Sequence, residues 1–478
     1  MVDRIPSDLV GLVDEHTQRL IRARSEYTRL DRYYDGIHRL QQLQLAIPTE
    51  LEQFVVFVNW CRKAVDSVEN RLDVLGFRLP GTSSADEELQ ERWDYNNMTT
   101  EIVMGFIDTL ALSAGYMTVG GNDEDPEFPI ITVDSPTEMT HIYNPRTRRL
   151  DSAFRLYNPG DFGTDQSATL YLPDETYWLE RDGSGHWYVE DYDEHRLGRV
   201  PVEVMINRPR THKHRGWKIP GISQMHDVIP IVDAAARALT NAQVAQETHA
   251  VPQRGVLGAT KGDFVDEAGN AIPAWEAYFG AVWALSNKDA KTFQFDSSDM
   301  KNFETIVNLY ARQASSVTGL PPNYFGLVSD DAASDAAIRS RETQLVKYAE
   351  RQQSNFSRPI RGVAQLVDRI ITGEWRPEMR SLEVVWQDAG TPTKAQVTDA
   401  AVKLKESDVL TREDVWEELN YSPARIEVLK KRFEERDRVV QDNGVNSAIQ
   451  LLAANEGRPD ANASGVDPRA IPPTPEPQ

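Results

Sequence analysis

A single cysteine stands among the 478 residues, Cys61 in the stretch FVVFVNWCRKAVDSVENRL. No intrachain disulfide and no cysteine-based zinc site is therefore available, which fits a reducing compartment. Basic charge is scarce as well: Lys and Arg number 52 against 74 Asp and Glu, a formal net charge of -22. Such a chain does not grip nucleic acid through a broad basic face, so any DNA contact is local or weak. No apolar run of about 18 residues is long enough for a bilayer, and no charged start leads into an apolar signal core. The composition reads as a soluble protein, intracellular when made, with no membrane partner.

Catalytic signatures are missing too. The nearest Gly-rich run, GVLGATKGD, sets Lys261 before Gly262, whereas a phosphate-binding loop needs Gly-Lys-Ser/Thr at a helix start. Neither HExxH, nor GxSxG, nor a twelve-residue calcium loop occurs. His212 and His214 in THKHRG are of a type that ligates metals, but two residues apart in a basic loop they read as solvated. The acidic runs Asp123 to Asp125 and Glu190 to Glu194 hold enough carboxylates for a glycosidase pair, which needs two facing carboxyls. With 74 acids, adjacent carboxylates also arise by chance. Trp178, Trp187 and Tyr188 suit stacking on sugars or bases, and equally suit covering a sheet. No catalytic residue, metal or cofactor is expected. The alternative from another class is a cytosolic acidic hydrolase with a helical accessory domain.

What is present is ample apolar material, 40% of the chain, enough for real cores in roughly three average domains. Residues 7 to 75 carry helical spacing: Leu9, Leu12, Val13 and Leu20, then Phe54, Phe57, Val58, Cys61, Val65 and Val68. A helix near Thr99 to Ala114 ends at Gly115. From Tyr116 to Asn207 the chain reads as eight short strands (YMTV, PIITVD, EMTHIYN, SAFRLYN, ATLYLP, TYWLE, HWYVEDY, VPVEVMIN) broken by Gly, Pro, Asn and Asp turns, which predicts an antiparallel sheet after the helices, an α+β class.

Residues 222 to 250 return to a helix, with Met225, Val228, Val232, Ala235, Ala236, Leu239 and Ala242 on one face. Residues 251 to 296 give short strands again (RGVLGA, AVWALS, TFQFD). A second helix is predicted from about Asp299 to Thr318, with Phe303, Ile306, Val307, Tyr310, Ala314 and Val317 as its buried face, a cap at Ser297, Ser298 or Asp299, and Gly319 at its end.

Next comes GLPPNYFGLVSDDAASDAAIRSRETQLV. Pro321 and Pro322 cannot continue a helix and fix an elbow. After it, Ile338, Leu345, Ala349, Phe356, Ile360, Val363, Val367 and Ile370 step by helical intervals. From Ser334 to Ile371 this is about 38 residues, or roughly 57 Å, with Pro359 inside it as a source of a kink. The strand SLEVVW follows, then helices over 393 to 440, one of them started by Ser422 and Pro423 ahead of Ile426, Leu429 and Phe433. The tail from 455 to 478 is polar and Pro-rich and reads as disordered.

Several segments, in order, resemble the portal proteins of long-tailed bacteriophages, in particular the type from phages of actinobacteria, related to a Bacillus phage portal. They are Tyr33-Tyr34-Asp35-Gly36, NWCRKAVDSVENR from Asn59 to Arg71, LGRVPVEVMINRP from Leu197, GISQMHDVIPIVDAA, and GLPPNYFG with the long helix after it. Together they span about 25 to 440.

The resemblance implies a ring of about twelve copies at one capsid vertex. Double-stranded DNA would pass through it, while the terminase large subunit, a head-completion adaptor, and the major capsid and scaffolding proteins bind around it. Residues 1–221 would form the wing, 222–250 and 299–318 the two stem helices, and 251–298 the small β clip. Residues 319–334 would form the tunnel loop, 335–392 the long kinked helix and a wing strand, and 393–454 the crown. In this frame Gly319, Pro321, Pro322 and Pro359 are hinge positions. Asp330, Asp331, Ala332, Ala333, Ser334 and Asp335 would line the channel, where small residues fit a crowded axis and repeated acids keep duplex from sticking. Each repulsion is small, roughly 0.4 kcal/mol at about 10 Å in water. The same aspartates also suit a helix start, and both roles stand open. Arg339, Arg341, Lys347 and Arg351 would touch phosphates, or else pair with Glu342 and Glu350 or a neighbouring subunit. Trp275, Tyr278, Phe279 and Trp283 of the clip would anchor neighbours, since aromatics are enriched at interfaces, or else form local core.

Overall fold

The computed structural model describes residues 3–37, 56–79, 86–144, 146–157, 166–210, 219–249, 254–258, 289, 291–294, 301–327 and 335–390. In the C-terminal part it describes 398, 401–405, 407, 409–419, 421–422 and 425–439. Helix α1 (Ser7–Asp35) runs 29 residues and ends where Gly36 turns left-handed at φ 74°. Its buried stripe includes Val13 and Leu20, with Leu9 and Leu12 packed at the margin. The next helix, α2, is Trp60–Glu69. It starts later than the periodicity from Phe54 suggests, because Asn59 caps it: the Asn59 side chain accepts from the Arg62 amide at 3.0 Å. Phe57 and Val58 lie outside the helix, Phe57 exposed, and Phe54 is outside the described residues.

Strand β2 (Val74–Arg78) and helix α3 (Glu87–Tyr95) follow, neither of them evident from the pattern. Helix α4 (Met98–Leu112) stops at Ser113, which takes φ 86°, so the strand begins at Ala114 rather than after a glycine stop. All eight expected strands form: β3 (Ala114–Gly120), β4 (Ile130–Asp134), β5 (Met139–Tyr143), β6 (Leu150–Leu156), β7 (Gln166–Tyr171), β8 (Thr176–Arg181), β9 (Trp187–Asp193) and β10 (Val202–Ile206). They make two antiparallel sheets rather than one. Six strands run in the order β1-β9-β8-β7-β6-β5, where β1 is Asp3–Arg4, and three run β10-β3-β4. The N-terminal half of α1 covers one face of the larger sheet through Val13, Leu20, Phe154 and Leu170.

Helix α5 (Ile229–His249) starts seven residues later than the apolar stretch, since 224–228 form turns instead. Met225, Val228, Val232, Ala235 and Ala236 are buried as the spacing predicts. Strands β11 (Arg254–Leu257) and β12 (Lys291–Gln294) pair antiparallel. Helix α6 (Lys301–Thr318) packs against α5. Its buried face is narrower than expected: Ala311 and Ala314 are buried and Val307 and Tyr310 pack at the margin, but Ile306 and Val317 face outward.

Helix α7 (Asp335–Thr372) is 38 residues long and its helical span does not stop at Pro359. Leu345, Ala349, Phe356, Ile360, Val363 and Val367 are buried, and the helix lies across β10, β3 and α2. Strand β13 (Glu383–Trp386) pairs antiparallel with β2, tying the end of the described wall back to its start. Helix α8 (Arg412–Glu418) and residues 425–439 are helical; Ser422 accepts from the Arg425 amide at 3.3 Å, the cap the sequence indicates. Among the described residues no helix is long and apolar enough to cross a membrane.

Candidate functional site: the proline elbow and the base of the long helix

The elbow is built from the end of α6 outward. Gly319 closes that helix at φ 72°, its amide donating to the Ser315 carbonyl at 2.9 Å. Only glycine suits this place: the left-handed backbone disfavours any other residue, and a Cβ would press on the Gln344 side chain at 2.9 Å. Ser315 Oγ donates to the Leu320 carbonyl at 2.7 Å. Pro321 is extended, Pro322–Phe325 make one 3-10 turn, and Gly326 ends it at φ 82°. Leu320, Pro321 and Phe325 are buried, and the Phe325 ring meets the edge of Trp60 at 5.8 Å.

Tyr324 carries the polar side of the elbow. Its hydroxyl donates to Glu342 Oε1 at 3.2 Å and accepts from Arg71 Nη2 at 3.3 Å, while Arg71 Nη2 and Glu342 Oε1 lie 3.7 Å apart. Lys63 Nζ stands 5.0 Å over the Tyr324 ring. Arg71 also donates to the Ser67 carbonyl at 3.0 Å, and its own carbonyl accepts from Gln353 Nε2 at 2.8 Å. Three elements are thereby locked at one point: the end of α2, the elbow, and the first half of α7.

Further along the helix, from Tyr348 to Asn355, a second polar cluster docks α7. Asn207, just past β10, accepts from Gln352 Nε2 at 3.1 Å and donates to the Ile222 carbonyl at 2.8 Å. Tyr348 donates to Gln224 Oε1 at 2.6 Å, and Gln352 donates to Tyr348 at 2.8 Å. Asn355 Nδ2 donates to the Ile206 carbonyl at 2.9 Å. A buried amide network of this kind is costly unless satisfied, and here its members partner one another.

The sequence-derived site residues fall as follows. Gly319, Pro321 and Pro322 form the elbow, and Pro359 is buried within α7. Asp330, Asp331, Ala332, Ala333 and Ser334 lie outside the described residues, as do Trp275, Tyr278, Phe279, Trp283, His212 and His214. Asp335, Arg339 and Arg341 lie in the first turns of α7. Lys347 pairs with Glu350 at 2.9 Å, one of the helical pairings expected. Glu342 does otherwise: its carboxylate turns to Arg71 and Tyr324, because those groups stand over it from α2 and the elbow. Arg351 is exposed and makes no ion pair with the described residues. Trp187 packs on Phe154 at 6.2 Å as sheet cover, Tyr188 donates to Asp182 at 2.9 Å, and Trp178 is part-exposed. Arg71, Tyr324, Asn207 and Gln352 are not assigned a role by pattern; Arg71, Tyr324 and Asn207 lie in segments that carry the resemblance, and Gln352 has no such signal.

The sequence matches known proteins along most of its length. The family profile described as "Phage portal protein, SPP1 Gp6-like" matches residues 14–441. The chain is 32% identical over 414 residues to the portal protein of Mycobacterium phage D29, covering 84% of each chain. It is 32% identical over 415 residues to that of Mycobacterium phage L5, again over 84% of each. A solved chain from the neck of an empty GTA particle, computed with C6 symmetry, aligns at a TM-score of 0.42 and 14% identity, over 81% of this chain and 91% of that one. The chain belongs to the SPP1 Gp6-like family of phage portal proteins, and its function is that of a portal, DNA packaging at a capsid vertex.

Proposed function

We propose that the chain assembles as a ring of about twelve copies, with the elbow and the segment after it turned to the central channel. In this reading residues 1–221 with β13 are the wing, α5 and α6 the stem, 251–298 the clip, 319–334 the tunnel loop, α7 the strut from channel to wing, and 393–454 the crown. The chain is non-enzymatic: a terminase supplies ATP hydrolysis and docks at the clip, and an adaptor replaces it once the head is full. Scaffolding and major capsid proteins meet the wing while the ring nucleates the head in the host cytoplasm.

The observation that carries the ring is the apolar stripe left uncovered on α6. Ile306, Leu309 and Val317 are 40%, 47% and 49% exposed, beside the face that buries Ala311 and Ala314. A neighbouring copy laid against that side would bury them, and a head-to-tail contact of this kind closes into a ring when its rotation closes. The elbow supports the channel assignment. A loop that passing duplex must not displace needs a fixed take-off, and the Arg71, Tyr324 and Glu342 contacts hold the elbow that precedes it.

Two tests bear on the two parts. Phage lacking this chain are expected to give heads without genome; filled heads would contradict the conduit. Asp330→Lys with Asp331→Lys is expected to shorten packaged genomes by making the channel adhesive, and full-length genomes would contradict the low-adhesion role of those acids.

A further inference from the structure

A cavity of about 310 Å³ opens between α1, the β4–β5 turn and the exit of β10, away from the elbow. Its walls are partly apolar, from Leu20, Met139, Ile206 and Ile222, and its size is that of a small-ligand pocket. Three arginines line it, Arg19, Arg208 and Arg210, and no Asp or Glu among the described residues does, although acids outnumber bases 74 to 52 in the chain. Arg19 is paired with Glu15 and Arg208 with Asp227. Arg210 makes no ion pair with the described residues and remains exposed at the mouth.

Deeper in, Tyr27 lines the same cavity and is only 3% exposed, yet its hydroxyl has no hydrogen-bond partner among the described residues. Its neighbour Tyr116, by contrast, is satisfied by His141 Nδ1 at 2.9 Å. That hydroxyl faces the cavity, where water or a bound acceptor can take its hydrogen bond. The donors present are a phenol and guanidinium groups, so the complementary group is an anion that accepts from both, and the apolar walls ask for a compact apolar body behind it.

We infer that this cavity binds a carboxylate carried on a small apolar body, with Tyr27 and Arg210 as its donors. The carboxylate belongs either to a free small molecule or to a peptide segment of a neighbouring protein; the inference stands apart from the ring and channel assignments. Benzoate and a blocked leucyl-aspartate dipeptide, titrated separately into the full chain and followed by ligand-detected NMR, distinguish the sources. Saturable binding of either supports the site, and tighter binding of the dipeptide assigns it to a protein partner. Tyr27→Phe and Arg210→Gln are each expected to weaken the bound probe about tenfold. Tyr27→Phe should leave the melting temperature of the ligand-free protein undiminished, because the hydroxyl it removes bonds nothing in the fold. The inference is overturned if neither probe saturates, if both variants bind as the parent does, or if Tyr27→Phe alone lowers the melting temperature.

Discussion

The Arg71 guanidinium and the Glu342 carboxylate stand 3.7 Å apart with the Tyr324 hydroxyl bonded to both, and their side chains are only 9% and 15% exposed. Removing one charge of such a pair strands the other away from water. Arg71→Met is therefore expected to cost about 3 kcal/mol, and Tyr324→Phe about 1 kcal/mol. Urea unfolding followed by tryptophan fluorescence reads both. The double variant should cost less than the sum, since each change removes part of the same contact.

The α6 stripe gives an expectation of the opposite kind. Ile306→Asp with Leu309→Asp changes two exposed side chains, so the stability of the isolated subunit should move little, within about 0.5 kcal/mol. Assembly should fail, because burying the exposed part of each side chain against a neighbour contributes about 1 kcal/mol at every contact in the ring, and a carboxylate there would have to be desolvated. Light scattering behind gel filtration would show the loss of the large species.

How far the sequence foretold this architecture differs between elements. The eight strands and the long helix were legible because alternation and helical spacing are local signals, and because the turns between strands carry Gly, Pro, Asn and Asp. The outward turn of Ile306 and Val317 was not legible: periodicity marks a face as apolar without saying which chain covers it. Likewise the split into two sheets depends on which strands pair, and β1 pairing with β9 joins residues far apart in sequence. The elbow showed itself through its prolines and glycine, but its clamp did not. Tyr324 and Arg71 are 253 positions apart, so no spacing rule connects them. The α2 boundary was misplaced because Asn59 was read as one more helical residue rather than as the cap that its side chain makes it.

His16 makes the protein sensitive to acid. Its ring is fully buried, stacked on Phe154 at 5.7 Å, with Nε2 bonded to Ser152 Oγ at 2.8 Å and Nδ1 without a partner. Burial, aided by the Arg19 charge, pushes its pKa down to about 3 from 6.5. The unfolded chain takes up a proton below about pH 6.5 that the folded chain refuses, so stability falls as the pH drops from there toward about 3, with about 2 kcal/mol lost by pH 5. His16→Gln should flatten the decline of melting temperature between pH 6.5 and 4.5 relative to the parent.

Glu69 works in the other direction. Burial, together with Asp66 and Asp73, raises its pKa to about 7 from 4.5. The folded state then holds a proton that the unfolded state releases, so this group's contribution to stability is present below about pH 4.5 and is lost as the pH rises through about 7. Because the side chain is half-buried and screened, Glu69→Gln should gain no more than about 1–2 kcal/mol at pH 8. The gain should vanish at pH 4.5, which denaturant titrations at the two pH values would check.

Electron microscopy of the purified full-length chain tests the central claim most directly. Single-particle images are expected to show rings viewed down an axis with an open centre, wide enough for duplex, and Ile306→Asp with Leu309→Asp is expected to abolish them. A chain that stays a single compact subunit under every assembly condition, or forms closed particles without a central opening, would contradict the account.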